Sequence, residues 1–298
     1  MAATAGHPLR GAVAVVAGAT RGAGRAIAVE LGTAGATVYA TGRSVRGQPA
    51  TAGRGETIEE TAERVTATGG LGIAVRVDHT VQEQVAGLFE RIRGEQDGRL
   101  DLLVNDIWDG DALSVWGKPF WEQSLPDALL MQERAVRAHI VTSYFAAPLL
   151  VARRHGLIVE VTDGVDYRYR GNLFYSLAKI SSIHLAEAMA EELRPHGVTA
   201  LAVTPGFLRS EAMLDHFGVS EENWRDGARQ DPHFIASETF RYLARGVVAL
   251  ALDTRVAEKT GRTLASWDLA GEYGFTDTDG RRPHWGRYVA EHLSSTPS

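Results

Sequence analysis

The chain has 298 residues, 44% of them hydrophobic and 23% charged, with 31 Lys+Arg against 37 Asp+Glu and no cysteine. That length admits one large α/β domain or two small ones, and either buries a sizeable core. The net charge of -6 argues against a nucleic-acid or polybasic membrane surface, and the lack of cysteine removes disulfides, thiolate nucleophiles and Cys-ligated zinc.

In chain order, Ala12–Ala17 (AVAVVA) is a short unbroken apolar run, as a strand buried on both faces requires. A glycine-rich turn leads to a helical pattern over Gly24–Leu31, closed by Gly35, and Ala36–Ala40 reads as a second strand. This βαβ unit demands a parallel sheet with a right-handed crossover. The alternation continues with a helix over Glu56–Thr66, a strand Gly72–Val77, a helix Val81–Arg93 and a strand Leu100–Asn105. A long helix over Leu130–Arg154, a strand Leu157–Thr162, a helix Tyr175–Arg194 and a strand Val198–Val203 follow. Ser237 is the expected N-cap of a helix Glu238–Leu252, and Gly261–Trp267 is a seventh strand. The pattern predicts an α/β fold, one doubly wound domain over residues 1–298 with a seven-stranded parallel sheet and a C-terminal extension from about residue 254. Three long connections, Ser44–Gly55, Asp106–Pro126 and Leu208–Pro232, break the rhythm, and the last two are expected beyond the C-terminal strand ends, where such sheets bind ligands.

The first turn reads Gly18-Ala19-Thr20-Arg21-Gly22-Ala23-Gly24. Glycines at this spacing let the backbone approach a diphosphate, and the helix N-terminus beyond offers unpaired N–H groups and a positive dipole. A structural turn would use the same residues; the setting between a buried strand and a helix selects the dinucleotide reading. The second strand ends in Thr41-Gly42-Arg43-Ser44, with no carboxylate to hold a ribose diol. Arg43 and Arg21 suit a 2′-phosphate, so NADP(H) is favoured over NAD(H), although both could be surface charges. Asp78 after the third strand could accept from the adenine amino group or simply close a turn, and Asn105 could contact cofactor or cap its strand. Further on, Tyr175-Ser176-Leu177-Ala178-Lys179 puts a phenol and an ammonium on one helix face, where the cation should lower the phenol pKa and suit it to proton transfer at a carbonyl oxygen.

Gly18-x-x-x-Gly22-x-Gly24, Asn105, Tyr175-x-x-x-Lys179 and Pro205-Gly206 in this order resemble the short-chain dehydrogenase/reductase family from about Gly11 to Leu252. The tail Gly261–Gly280 resembles the subgroup around dehydrogenase/reductase family member 1. The resemblance implies a Rossmann-type sheet, a nicotinamide cofactor, Tyr175 as proton donor and acceptor, Lys179 on the nicotinamide ribose, and Pro205 and Gly206 beside the nicotinamide, with Ser210 near by. It also implies a homodimer or homotetramer built through the long helices. The implied activity is an NADP(H)-dependent oxidoreductase acting on a small carbonyl or alcohol; the alternative is a nucleotide-binding regulator or scaffold with weakened catalysis. Thr162 stands where the family has its catalytic Ser, and its hydroxyl is expected to hydrogen-bond the substrate carbonyl, the alternative being a strand residue with no catalytic duty; Asp163 is an unexpected carboxylate, read as a second proton-handling group or a polar substrate contact; Trp108 adds bulk after Asn105, and Ala135 replaces the family's relay Asn.

Trp108, Trp116, Phe120, Trp121, Phe174, Phe207 and Phe217 could line an apolar pocket or only pack loops, and Tyr167-Arg168-Tyr169-Arg170 raises the possibility of an anionic or aromatic substrate. Asp277-Thr278-Asp279-Gly280 lacks the later Glu of a calcium loop and reads as a turn. No histidine spacing indicates a metal, and no G-x-S-x-G elbow is present. No apolar run approaches a membrane span, and Arg10 with Gly11–Ala19 is too glycine-patterned for a secretory signal. A cytoplasmic chain without nucleic-acid or membrane partners is expected.

Overall fold

The computed structural model describes residues 6–51 and 53–293, so the remaining positions of the expected domain lie outside the described residues. The first half contains β1 (Val13–Ala17), α1 (Gly22–Thr33), β2 (Thr37–Gly42), α2 (Ile58–Ala67), β3 (Leu71–Arg76), α3 (Gln82–Glu95) and β4 (Leu102–Asn105). The chain continues through α4 (Leu125–Gln132), a π-helical turn Glu133–Arg137, α5 (Ala138–Arg153), β5 (Gly156–Val161), α6 (Leu173–Leu193) and β6 (Val198–Thr204). It ends with α7 (Glu211–Phe217), α8 (Phe240–Leu252), β7 (Thr263–Ala265), α9 (Ser266–Tyr273) and α10 (Trp285–His292).

All seven strands are parallel in the order β3-β2-β1-β4-β5-β6-β7, a Rossmann-type sheet. The apolar run in β1 serves two cores at once. Ala14 and Val16 pack with Ile27 and Leu31 of α1 and Leu243 and Val247 of α8, while Val13 and Val15 pack with Phe89 and Ile92 of α3 and Leu149 and Leu150 of α5. A strand covered by helices on both faces has no polar face to display, which is why alternation is missing from its sequence. Strand order reverses between β1 and β4, opening a crevice beyond their C-terminal ends.

Three expected boundaries move, each because of a tertiary contact. Leu208 and Glu238 form a parallel bridge that holds Glu238 extended, so α8 starts at Phe240 with Thr239, not Ser237, at the cap position. Asp277 accepts from both the amide and the hydroxyl of Thr239, which gives the Asp277–Gly280 turn a structural task. The seventh strand shrinks to three residues, and Trp267 belongs to α9, because β7 pairs only with the end of β6. The long helix begins at Leu125 and continues through the π turn to Arg153, giving 29 residues that are long and apolar enough to cross a membrane by length and composition. The sequence reading missed that length. Within the fold Ala146, Leu149 and Leu150 of this helix pack into the core beside the sheet, which accounts for part of its hydropathy, while Leu129, Ile140 and Tyr144 are exposed.

Leu150 is fully buried between α3 and the sheet. Leu150→Ala is expected to cost about 2–5 kcal/mol, measured as a lower denaturant midpoint at constant slope.

Candidate active site

A groove of about 790 Å³ runs along the crevice, within the size range of small-molecule and cofactor sites. Its floor is the turn between β1 and α1. Gly18 has φ +90°, and a Cβ there would lie 2.2 Å from the Asp106 carbonyl oxygen, so only glycine lets the turn rest on the end of β4. No side chain caps α1. Instead the Gly22 amide donates to Glu211 Oε1 at 3.3 Å, so a carboxylate from α7 already stands where the helix N-terminus favours an anion. Gly18, Thr20, Arg21 and Gly22 line the groove. Gly24 does not: a Cβ there would meet the Gly18 carbonyl oxygen at 2.4 Å, so this glycine serves the packing of helix on turn.

At the far end, Arg43, Ser44 and Asp78 line the groove as expected from their positions after β2 and β3. Arg43 is not a free cation, however. It pairs with Asp109, which also holds Arg134 at 2.8 Å. Arg21 of the glycine turn donates to Thr51 Oγ1 at 3.2 Å, and Arg54 pairs with Asp215 of α7 at 2.9 Å, so the Ser44–Gly55 connection brings one further guanidinium to this end and contacts another. Ser44 Oγ accepts from the Ala50 amide at 3.0 Å, which folds that connection. Burial opposes the charge on Asp78, but the Thr80 amide and hydroxyl donate to it and hold it below the ordinary aspartate range. Asn105 is absent from the groove; fully buried, it donates to Glu160 Oε1 at 2.7 Å and to Ser143 Oγ at 2.9 Å. The uncapped helix and the positive-φ glycines Gly18 and Gly22 on the groove floor fit a nicotinamide dinucleotide.

The opposite wall carries Thr162, Asp163, Tyr175, Lys179, Pro205, Gly206 and Ser210. Asn172 caps α6 by accepting from the Tyr175 amide at 3.0 Å and ties the Trp-rich connection to it through Val115 and Gln123. This fixes Tyr175 in the first turn of α6, with Lys179 one turn later. The Tyr175 hydroxyl donates to Asp163 Oδ2 at 2.9 Å. Burial, then the charge and hydrogen bond of Asp163, then the charge of Asp111, drive the phenol pKa well above its ordinary value. The expected lowering by Lys179 is therefore overturned: its Nζ sits 3.8 Å over the Trp108 ring and 5.6 Å from the centroid of the Tyr175 ring, whereas a carboxylate touches the hydroxyl itself. Burial pulls the Lys179 pKa down against the opposing charges of Asp163, Asp106 and Asp111.

Thr162 also differs from expectation. Its hydroxyl donates to the Lys179 carbonyl oxygen at 2.6 Å, so its one proton is engaged with α6 and is not offered to a substrate. Trp108 and Trp116 pack edge-on against Tyr175, and Phe207 lines the groove, but Phe120 and Trp121 are exposed and Phe217 packs with Trp224 and Phe234. The arginines before Tyr175 do not face the site. Arg168 pairs with Asp166, and Arg170 donates to the carbonyls of Asp163, Asp166 and Arg168. The sequence reading missed the Arg43–Asp109–Arg134 cluster and the contribution of His233 and Trp285 to the groove, because long-range pairing leaves no local signal.

Glu238 backs the Pro205-Gly206 segment. Fully buried, it accepts from Ser266 Oγ at 2.8 Å and from the Gly206 amide, and its Oε1 has no partner. Burial pushes its pKa up to about 8. A carboxyl with a raised native pKa keeps a proton that the unfolded chain releases, so its contribution to stability declines as pH rises from about 4.5 to about 8. Glu238→Gln, which imitates the protonated form, is expected to raise the thermal midpoint above pH 8 and to leave it nearly unchanged below pH 4.5, read by calorimetry.

The model of the short chain dehydrogenase family matches residues 12–217. Human dehydrogenase/reductase SDR family member 1 is 35% identical over 283 residues, covering 92% of this chain and 85% of that protein. A 3-oxoacyl-[acyl-carrier-protein] reductase of Aquifex aeolicus is 31% identical over 209 residues, covering 68% of this chain and 76% of the reductase. The crystal structure of a short chain dehydrogenase from Mycobacterium thermoresistibile superposes with a TM-score of 0.76 at 23% identity, covering 93% of this chain and 92% of that one, and shows the shared fold. The glycine turn on α1, the Tyr-Lys pair on α6 and these likenesses converge: the chain belongs to the short-chain dehydrogenase/reductase family of nicotinamide-dependent oxidoreductases.

Proposed function

We propose that the chain is an NADP(H)-dependent carbonyl reductase or alcohol dehydrogenase, with Tyr175 handling the proton on the substrate oxygen. The observation that carries this reading is the Tyr175 hydroxyl, held by Asp163 at 2.9 Å on the groove wall with Lys179 one helical turn behind it. When bound, the nicotinamide supplies or accepts the hydride. Tyr175 gives its phenolic proton to the carbonyl oxygen as the adjoining carbon is reduced. Its raised pKa keeps the phenol protonated at rest, which suits the reductive direction, as does the likeness to a 3-oxoacyl reductase. Lys179 places a positive charge near the phenolate that this transfer leaves and binds the ribose beside the nicotinamide. Asp163 orients the hydroxyl, and Thr162 tethers the turn that carries Lys179.

The lack of a carboxylate at the end of β2, together with Arg21 and Arg54 in the groove, supports NADP(H) over NAD(H). Because Arg43 is engaged by Asp109 whereas Arg21 donates to the neutral hydroxyl of Thr51, Arg21 is the first candidate for the 2′-phosphate. The outer faces of α5 and α6 expose Ile140, Tyr144, Leu173 and Leu177, which supports a homodimer or homotetramer built on these helices. We place the protein in the cytoplasm, acting on a small carbonyl or alcohol without nucleic-acid or membrane partners.

NADPH oxidation across a carbonyl panel, with NADH in parallel, tests this reading. Tyr175→Phe is expected to lower kcat by about 100-fold or more while leaving NADPH affinity unchanged. Wild-type turnover by that variant would sink the mechanism, and tight NADPH binding without turnover by the unaltered protein would select the regulatory reading. Arg21→Ala is expected to weaken NADPH about tenfold or more and to leave NADH unaffected. Light scattering is expected to give a dimer or tetramer that Tyr144→Glu dissociates.

A further inference from the structure

Behind Lys179 lies a buried ionisable pair that the reaction above does not use. His139 of α5 and Glu160 of β5 have side-chain exposures of 3% and 0%, and His139 Nδ1 is 2.5 Å from Glu160 Oε2. The other ring nitrogen, Nε2, is 3.1 Å from the carbonyl oxygen of Ile107. With an ionised carboxylate opposite Nδ1 and a carbonyl opposite Nε2, both nitrogens would carry protons and the ring would be an imidazolium. Asn105 donates to the second Glu160 oxygen at 2.7 Å and holds the carboxylate in place. Taking two such charges out of water is costly, and apolar residues would fill the same space without that cost.

A small recess joins this pair to the catalytic wall. Asp106, His139, Lys179 and Ser182 form its polar sides, and the small side chain at Ala135 leaves it open. The centre of a water molecule can range there over about 10 Å³, room for one water with several polar partners.

We infer that His139, held by Glu160, is a proton reserve that resupplies Lys179 through this recess after each reduction. The inference rests on Tyr175 being the proton donor. The Tyr175 O–H bond breaks as the proton passes to the substrate oxygen; an N–H proton of Lys179 moves to the phenolate; the Nε2 proton of His139 moves through water to the Lys179 amine. Glu160 exchanges no proton in these steps, and the neutral imidazole regains a proton from solvent through the groove, which shares Asp106, Ile107 and Trp108 with the recess. No oxidant or reductant beyond the proposed cofactor is needed.

The surroundings of His139 agree with this role. Burial and the charge of Lys179 on α6 work against the imidazolium, but the charge and hydrogen bond of Glu160 and the Ile107 carbonyl outweigh them and raise its pKa. Asp106 at the end of β4 also faces this cluster, its own pKa pushed up by burial to about 7. His79 after β3, between Thr41 and Thr142, is driven down to about 3 by burial and the charge of His139, and so stays neutral. The reserve is loaded below the His139 pKa and is lost as pH rises through it.

Nitrogen NMR of the cofactor-free protein is expected to show both His139 nitrogens protonated at neutral pH, with deprotonation at lower pH in Glu160→Gln. His139→Gln keeps a donor without a titrating proton. It is expected to lower kcat about tenfold or more and to remove the alkaline decline in kcat, with NADPH affinity unchanged and the protein still folded at the assay temperature despite a lower melting temperature, and His139→Ala is expected to regain turnover when imidazole is added. A singly protonated His139 at neutral pH would overturn the inference. So would a His139→Gln variant with the wild-type kcat and pH profile, or one whose loss follows weakened NADPH binding or unfolding without rescue by imidazole. If Tyr175→Phe is inactive while His139→Gln is unaffected, only the proton reserve fails; if Tyr175→Phe retains turnover, the underlying reading fails first.

Discussion

The contact between the glycine turn and the end of β4 is the constraint on which the site depends. With Gly18 resting on the Asp106 carbonyl, the first turn of α1 and the Asp106–Trp108 segment occupy one corner of the sheet. That corner lies at the reversal of strand order, so α1 and α6 approach it from the two faces of the sheet. An uncapped helix N-terminus, a phenol and an amine then share one groove. A larger residue at position 18 would separate the turn from β4 and part those groups.

Charge around Tyr175 and Lys179 is offset by nearby groups of opposite sign. Lys179 is met by Asp163, Asp106 and Asp111 on the groove side and shares the recess behind it with His139, whose charge Glu160 offsets. In a poorly solvated corner an isolated amine would shed its proton and an isolated carboxylate would gain one. The carboxylates keep the amine basic, while Asp163 keeps the phenol protonated. Placing Asp163 after the usual hydroxyl position thus changes more than a hydrogen-bond partner: it favours the acid form of Tyr175 at rest.

The fold was largely legible because the strands are buried on both faces and interrupted by glycine turns, a pattern few other arrangements produce. β1, β5 and β6 emerged within a residue or so of their expected ends. The misread boundaries at Glu238, Trp267 and Leu125 share one cause. Each depends on a partner distant in sequence: Leu208 for Glu238, the short edge pairing with β6 for Trp267, and packing against the sheet and α6 for the long helix.

By itself the sequence determined the parallel sheet, the glycine turn before α1, and the spacing of Tyr175 and Lys179, because each arises from periodicity or from residues within one turn of one another. Only the tertiary structure decided which polar atoms meet. It joined Arg43 to Asp109, turned the Thr162 hydroxyl toward the Lys179 carbonyl, set Asp163 on the phenol, and buried Asn105 away from the groove beside Glu160. Hydrogen bonds and ion pairs act over a few ångströms in space, and separation along the chain says little about which groups will be that close.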